Sequence, residues 1–279
     1  MSAPTAAEAT LVGAGAARAL AGGGTGILVS VYRRASYVHM PAGLIALTEH
    51  SVPPGPIHVV LAGRLPRGLE PGAPVQSAGS HLEISGEPVV DLAPARRWVG
   101  ELPAPDALVR HRDRMATLLA GAATASALHA PEWRGRLEAA LGAVAVGDLA
   151  TAAALLGGLG PGLTPAGDDA LAGVLLVARA RGGGGCEPPL VRLAQETRTT
   201  EISRAFLAWA ALGQSLAPVH EFLAAGTTGD FTRAARAVLG IVGIGASSGS
   251  DLCLGAAAAL STLPDGARPT GRTRTISVS

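Results

Sequence analysis

The hydrophobic pattern of the sequence changes near residue 100, and this change most limits the folds that the chain can adopt. Before it, Gly and Pro separate short runs rich in β-branched residues, namely GILVSVYRRASYVHM, LIALTE, IHVVLAG, HLEIS and EPVVDL. Such runs predict the short strands of a mostly antiparallel sheet or barrel. From about Asp106 onward the apolar period is helical. We therefore predict an α+β chain, in which an all-helical C-terminal domain follows a β-rich N-terminal domain.

Residues that favour helix starts divide the second half of the chain. One helix is predicted near Pro131, with an apolar face formed by Trp133, Leu137, Leu141 and Val144. Further starts are predicted at Asp148, Asp168, Pro188, Thr200, Pro218 and Asp230. Residues 182–185, all glycine, are expected to form a flexible connector.

These patterns predict four segments. Residues 1–25 are a flexible N-terminal segment, and residues 26–100 are the β-rich domain. Residues 101–262 form the helical domain with glycine-rich ligand loops, and residues 263–279 are a disordered tail with little to bury.

Charge and hydropathy exclude two classes of partner. The 22 basic and 21 acidic residues leave a formal charge of +1, so no broad field is available to hold a nucleic-acid backbone. No apolar run reaches the ~18 residues of a membrane span, and the first residues do not form a signal peptide. We therefore expect a cytoplasmic protein, in which Cys186 and Cys253 are free thiols.

The stretch GLGPGLTPAGDD, residues 158–169, is too irregular for an ordinary helix connection. A second stretch, GIGASSGSDLCLG, shares its spacing Gly-x-Asp-x-x-x-Gly. The aligned pairs are Gly167 with Gly249, Asp169 with Asp251, and Gly173 with Gly255. Each stretch leads into an apolar helix, so the two stretches are similar to each other in spacing and in context, although this does not establish a repeat.

Glycines permit close approach of a ligand, and the first turn of a helix presents free amides that attract anions. The acids Asp168, Asp169 and Asp251 would repel a bare anion. They serve as caps, coordinate a cation such as Mg²⁺, or accept hydrogen bonds from an amide or ammonium group. A purely structural interpretation makes Asp168 and Ser250 N-caps and uses the last glycine of each motif for close helix packing. For the whole constellation we favour a ligand site.

A third stretch, Thr199–Arg204, starts another helix and is capped by Thr200. Ser203 and Arg204 then lie near its first turn, where the guanidinium can grip a carboxylate. Alternatively, Arg204 pairs with a neighbouring Asp and steadies the loops.

Several familiar sites are missing from the sequence. No Lys-Ser or Lys-Thr follows the glycine-rich loop, so it is not a Walker motif. There is no Gly-x-Ser-x-Gly elbow, and no histidine is placed to activate Ser247 or Ser248. The seven histidines show no paired ligand spacing, which argues against zinc; they are His39, His50, His58, His81, His111, His129 and His220.

Three segments together resemble the AllH family: GLGPGLTPAGDDALAG, TTEISRAFL and GIGASSGSDLCLG, in this order and at these separations. SVYRRASYVHM, LIALTE and GPIHVVLAG are similar to that family's N-terminal strands. The likeness extends over about residues 26–262. Ala166 departs from the serine expected there, which removes one hydroxyl from the first loop.

The resemblance implies a cytoplasmic transferase subunit of allantoin catabolism. The family's named member is one of three subunits of oxamate carbamoyltransferase, which interconverts oxalurate and phosphate with oxamate and carbamoyl phosphate; a companion resembles acyl-CoA synthetase subunits. Two alternatives stay open, namely a non-catalytic binding or scaffold subunit and a stand-alone enzyme of another reaction type.

The resemblance also implies which matched positions line the site. The catalytic candidates are Asp168, Asp169, Asp251, Ser203 and Arg204. The candidates for substrate or phosphate binding are Gly160, Gly162, Thr164, Gly167, Ser247, Ser248 and Gly249. Helix amides, hydroxyls and Arg204 would stabilise the oxyanion and the phosphate. Asp169 or Asp251 would hold Mg²⁺ or the carbamoyl amide, and no cofactor besides Mg²⁺ is implied.

Overall fold

The first half of the chain forms a closed β-barrel. A computed structural model describes residues 6–78 and 80–263. Within them the strands are β1 Ala7–Gly13, β2 Thr25–Val31, β3 Ala35–Met40, β4 Gly43–Thr48, β5 His58–Leu61, β6 Pro74–Ala78, β7 His81–Ile84, β8 Glu87–Asp91 and β9 Arg96–Trp98. The hydrogen-bonded order β5-β4-β3-β2-β6-β7-β8-β1 closes through a β1–β5 pairing, and β9 lies beside β1. The predicted β-rich fold, a sheet or a barrel, is confirmed and is a barrel.

Alternation along the strands fills the barrel interior. Leu28 of β2 is fully buried, whereas Ile27 and Val29 on either side of it are exposed. Val38 of β3 pairs in antiparallel register with Ile45 of β4, and both are buried. Side chains two residues apart share one face of a strand, so this alternation directs every second residue into the core.

The N-terminal segment differs from the prediction. Residues 7–21 form β1 and helix α1 (Ala14–Ala21), not a flexible segment. β1 pairs with β5 and β8, and α1 buries Ala16 and Ala19. The segment is rich in Ala and Gly, so the β-branched signal of a strand is weak there. Tertiary pairing, which sequence periodicity does not report, orders it.

The second half is helical, as predicted. After α1, the described helices are α2 Pro105–Arg110, α3 Arg112–Ala122, α4 Arg134–Ala145, α5 Leu149–Leu156, α6 Ala166–Gly182, α7 Glu187–Glu196, α8 Glu201–Ala211, α9 Ala217–Thr228, α10 Phe231–Val242 and α11 Ser248–Ser261. Short 3-10 helices span Ala123–Ala125, Ala127–His129 and Gly183–Cys186, the last in place of the predicted connector. The predicted tail lies outside the described residues, apart from Leu263.

Three predicted N-caps are confirmed by their hydrogen bonds. Asp148, Thr200 and Asp230 each accept a backbone N–H of the first turn of α5, α8 and α10, respectively. Asp168 and Ser250 are not caps, because α6 begins at Ala166 and α11 begins at Ser248. Both residues therefore lie inside the first turn of their helices.

Helices α6 and α11 cross at two glycines, as the structural interpretation predicted. A Cβ on Gly173 would lie 2.3 Å from the carbonyl oxygen of Leu252, and a Cβ on Gly255 would lie 1.8 Å from that of Ala170. Real Cβ atoms do not approach a carbonyl this closely. Only glycine therefore permits the crossing, and it places the first turns of both helices next to each other.

The barrel packs against the start of the helical half through an apolar contact. Ile57 and Ala46 of the barrel are buried with Ile202 of α8. Phe206 of the same helix meets the His58 ring edge to face, with 6.2 Å between ring centroids. This contact places α8, with the glycine-rich loops beside it, next to the end of the barrel.

Candidate functional site

A cavity of about 390 Å³ lies between the barrel and the helical half. From the barrel it is lined by Tyr32, Arg33, Arg34, Tyr37, Thr48 and His58, among others. From the helical half it is lined by Leu163, Thr164, Asp169, Phe206, Ser248 and Gly249, among others. The first and second predicted motifs therefore contribute side chains to one cavity. The helix α8, which the third motif starts, contributes Phe206.

Positive backbone dihedrals shape the loop before α6. Gly158, Gly160 and Gly162 have φ of 68°, 103° and 107°, which residues with a Cβ rarely adopt. Leu159 is buried and anchors the loop, since its carbonyl accepts the amide of Gly167 at 2.9 Å. The cavity lining does not include Gly160 and Gly162 of the loop or Gly167 of α6. They shape the backbone that carries Leu163 and Thr164 into the cavity.

Asp168 ties the loops together. It is 2 % exposed, and its Oδ1 accepts the amide of Gly158 at 2.8 Å while its Oδ2 accepts the hydroxyl of Thr199. Thr200 adds a second tie, because its hydroxyl donates to the carbonyl of Leu163 at 2.7 Å. The first and third motifs are therefore joined by hydrogen bonds. Asp168 holds this junction and does not face the cavity.

Asp169 faces the cavity and is poorly satisfied there. Its Oδ2 is buried without a hydrogen-bond partner among the described residues. Burial raises the pKa of Asp169 well above its usual value, and the hydroxyls of Ser248 and Thr164 oppose this rise only in part. Burial, with Tyr32 and Asp169 nearby, raises the pKa of Tyr37 to about 12. A buried carboxylate oxygen without a partner in a cavity marks a place where a ligand would supply a hydrogen-bond donor.

The first and second motifs meet directly. The hydroxyls of Thr164 and Ser248 are 3.3 Å apart, and both line the cavity. A Cβ on Gly249 would lie 1.8 Å from the carbonyl oxygen of Ile241, so only glycine fits there. Ser247 is the N-cap residue of α11 and lies just outside the lining.

Asp251 faces away from the cavity. It is fully buried, and its Oδ1 accepts the hydroxyl of Ser126 at 2.6 Å and the amide of Ala127 at 2.9 Å. Burial raises its pKa, and the Ser126 hydroxyl opposes the rise. Asp251 therefore holds the turn that precedes α4.

Ser203 and Arg204 also lie outside the cavity lining. Ser203 is buried, and its backbone amide donates to the capping hydroxyl of Thr200 at 3.1 Å. Arg204 is exposed, and its guanidinium donates to the carbonyl of Thr199 at 3.2 Å. Arg204 thus contacts the loop before α8 through a carbonyl, and the expected pairing with a neighbouring Asp is not found among the described residues.

The guanidinium groups of the cavity come from the barrel and were not predicted. Arg33 and Arg34 lie in the hairpin between β2 and β3, and both are exposed at the cavity. They occur in the run SVYRRASYVHM, where two adjacent arginines interrupt an apolar strand pattern. That interruption was the available signal, but periodicity does not show that the hairpin meets the helical half.

His58 is another cavity residue that was not predicted to belong to the site. Burial lowers its pKa to about 4, and its Nδ1 lies 3.0 Å from the carbonyl oxygen of Pro53. The imidazole is therefore neutral at neutral pH, and it supports Phe206 at the cavity wall.

The predicted acids do not share a magnesium site. Asp169 faces the cavity, whereas Asp251 lies outside its lining and directs its Oδ1 to Ser126 and Ala127. Within residues 6–78 and 80–263, no group of three or more His, Cys, Asp or Glu side chains is arranged to hold a metal ion. The described residues therefore do not fit a Mg²⁺ site shared by Asp169 and Asp251.

Fold and cavity define an α+β protein in which a cavity of about 390 Å³ lies between a β-barrel and a helical half. Residues 156–260 match the family described as oxamate carbamoyltransferase subunit AllH, which confirms the resemblance over the segment from the end of α5 to the end of α11. No curated protein and no solved structure matches the chain significantly. None of the helices in the described part of the chain has the length and hydropathy to cross a membrane.

Proposed function

We propose that this chain is a substrate-binding subunit of a carbamoyltransferase that acts on a small carboxylate or ureido acid, with oxamate and oxalurate as the first candidates. The observation that carries the proposal is the shared cavity. Thr164, Asp169 and Ser248 of the family-matched segment face it together with Arg33 and Arg34 of the barrel. Its volume of about 390 Å³ lies in the range of small-molecule sites.

The polar groups of the cavity suit the proposed reaction. In the direction of oxalurate cleavage, a phosphate oxygen attacks the carbamoyl carbon, the bond to the oxamate nitrogen breaks, and that nitrogen takes a proton. Guanidinium groups bind carboxylates and phosphates through paired N–H donors, a role that we assign to Arg33 and Arg34. Negative charge develops on the carbamoyl oxygen, and the hydroxyls of Thr164 and Ser248 are the nearby donors for it.

The description of the matched family as a subunit supports an assembly with other chains. We propose partners that include a protein resembling acyl-CoA synthetase subunits. We also propose a cytoplasmic location, which fits the free thiols Cys186 and Cys253.

Phosphate-dependent cleavage of oxalurate tests the proposal. The full chain is assayed alone and with the proteins encoded beside its gene, as wild type and as the double variant Arg33→Ala/Arg34→Ala. We expect activity with the partners present and a loss of at least tenfold in kcat/KM in the double variant, since charged hydrogen bonds are worth roughly 1.5–3 kcal/mol each. Arg192→Ala is the matched control, because Arg192 is exposed and, within the described residues, its guanidinium pairs with Glu196 on α7.

Each other outcome identifies an alternative. Full activity in both the double variant and Asp169→Ala would make the chain a scaffold, with its partners doing the chemistry. Activity of the chain alone on a different substrate would identify a stand-alone enzyme. Both results would contradict the proposed role of the cavity in the complex.

A further inference from the structure

The helical half contains a duplication with an offset of 82 residues. Adding 82 to each number carries Gly147 and Asp148 onto Gly229 and Asp230. Both glycines have positive φ, 78° and 82°, and both aspartates have nearly the same dihedrals, φ −81° and ψ 77° against φ −80° and ψ 77°. Each aspartate caps its helix through a 3.0 Å bond to the amide three residues later. The unit α4–α5–α6 is therefore repeated as α9–α10–α11.

The same offset exchanges the two close contacts at the helix crossing. Gly173 approaches the carbonyl of Leu252, and Gly255 approaches the carbonyl of Ala170. Gly173 and Gly255 are 82 residues apart, and so are Ala170 and Leu252. The second contact is therefore the first contact with the two units exchanged. The two units are therefore related by an approximate two-fold axis through the crossing of α6 and α11.

Under this relation Asp169 corresponds to Asp251. Each has a buried Oδ2 without a partner among the described residues, but the two carboxylates differ in their donors and in what lies beside them. Asp251 accepts one hydroxyl and one amide N–H, from Ser126 and Ala127. These donors lie between two short 3-10 helices that follow α3, and Leu128 beside them is fully buried. The chain itself thus fills the second copy of the site.

At Asp169 the corresponding space is open. The offset carries residues 119–129 onto residues 201–211, which form the continuous helix α8. Because this helix does not break, Phe206 and Ala210 line a cavity where the other copy has its inserted turn. Asp169 accepts the hydroxyls of Ser248 and Thr164. Its Oδ2, which has no partner within the described part of the chain, lies at this cavity, whereas Asp251 is not part of the lining.

We propose that the ligand of the cavity presents N–H donors of a carboxamide or ureido group to Asp169, as residues 126–127 present donors to Asp251. Arg33 and Arg34 then hold the anionic end of the same molecule. This inference rests on the proposed function and adds a selection rule. Asp169 selects substrates with nitrogen at the position next to the carbonyl over donor-free molecules of the same shape.

The electrostatics of the cavity agree with this rule. Burial favours the protonated form of a carboxyl group, and it is the main cause of the raised pKa of Asp169, which the hydroxyls of Ser248 and Thr164 offset only in part. Donors from a ligand favour the ionised form, so binding should release a proton from Asp169. A donor-free ligand leaves the carboxyl group unpaired, and leaving a buried polar group unpaired costs about 1–3 kcal/mol.

Isothermal titration with an isosteric pair tests the inference. Oxamate and pyruvate differ by an NH₂ group in place of a CH₃ group and share the carboxylate. We titrate both into the full chain with its partner subunits, as wild type, Asp169→Ala and Asp169→Asn. Asp106→Asn is the control, because Asp106 is exposed on α2. We expect wild type and control to prefer oxamate by at least tenfold, and Asp169→Ala to prefer it by less than threefold.

The outcomes separate the two proposals. Equal affinities of the wild type for oxamate and pyruvate would overturn the selection rule, although the cavity would still bind a carboxylate. A preference for oxamate that persists in Asp169→Ala would also overturn the rule. Oxamate binding that requires added Mg²⁺ would also overturn it, because the carboxylate would then hold a cation. If neither ligand binds with the partners present, the proposed function itself fails. Asp169→Ala removes a buried carboxyl group whose Oδ2 has no partner among the described residues, so unfolding is not expected, and Asp169→Asn checks the result at constant volume.

Discussion

Replacing Gly255 by alanine tests the helix crossing on which the site is built. The added Cβ would lie 1.8 Å from the carbonyl oxygen and 2.6 Å from the carbonyl carbon of Ala170. An ordinary contact between these atom types is more than 3 Å, so α6 and α11 must move apart by over an ångström. Overpacking of a tight core costs typically 1–3 kcal/mol, and sometimes more.

Helix propensity opposes this cost. Alanine is favoured over glycine inside a helix by about 1 kcal/mol. We therefore expect Gly255→Ala to lower the free energy of unfolding by about 2 kcal/mol, taking the upper part of the packing range because the clash is with backbone. For a chain of this size that corresponds to a fall of roughly 4–8 °C in Tm.

Gly142→Ala is the matched control, since a Cβ on Gly142 of α4 would meet no described atom within 4 Å. It should raise the free energy of unfolding by up to about 1 kcal/mol. Urea denaturation followed by circular dichroism measures both variants. Gly173→Ala should behave like Gly255→Ala, because the offset exchanges their contacts. Equal stability of Gly255→Ala and Gly142→Ala would refute the close crossing and the two-fold relation built on it.

Three further perturbations test the ties around the cavity. Asp168→Ala should lower the free energy of unfolding by about 2–3 kcal/mol in urea denaturation. The reason is that the Thr199 hydroxyl and the Gly158 amide would lose their acceptor. A loss below about 0.5 kcal/mol would show that these hydrogen bonds are unimportant for stability. Ser126→Ala should cost about 1–3 kcal/mol in the same assay and raise the pKa of Asp251 further, as NMR titration would show; an unchanged pKa would contradict the hydrogen bond. Burial lowers the pKa of His58 to about 4 in the folded protein. As pH falls, His58 is therefore protonated in the unfolded state before it is protonated in the folded state. The free energy of unfolding should fall by up to about 3 kcal/mol between about pH 6.5 and 4. His58→Gln should remove this part of the pH dependence, and equal slopes for both proteins would refute it.

The fold class followed from local pattern. Strand alternation around Leu28 and helical periodicity around Leu137 are properties of neighbouring residues, and they predicted a barrel followed by helices. The caps Asp148, Thr200 and Asp230 were predictable for the same reason, because a cap bonds to its own first turn. β1 was missed, since small residues carry little β signal and its pairing partners are more than forty residues away.

The tertiary structure determined the different roles of Asp168 and Asp169. Asp168 and Asp169 are adjacent, but neighbours on a helix point in directions about 100° apart, so one faces the loops and the other the cavity. Which of them does so depends on the helices that pack against α6.

The sequence by itself determined the elements, their caps and the repeated motif that marks Asp169 and Asp251 as equivalent. Only the tertiary structure made them different, by inserting Ser126 beside one and leaving a cavity beside the other. It also brought Arg33 from the barrel to that cavity, a contact between distant segments. The physical reason is that periodicity and capping depend on neighbours in the chain, whereas a binding site depends on surfaces that meet only after the chain has packed.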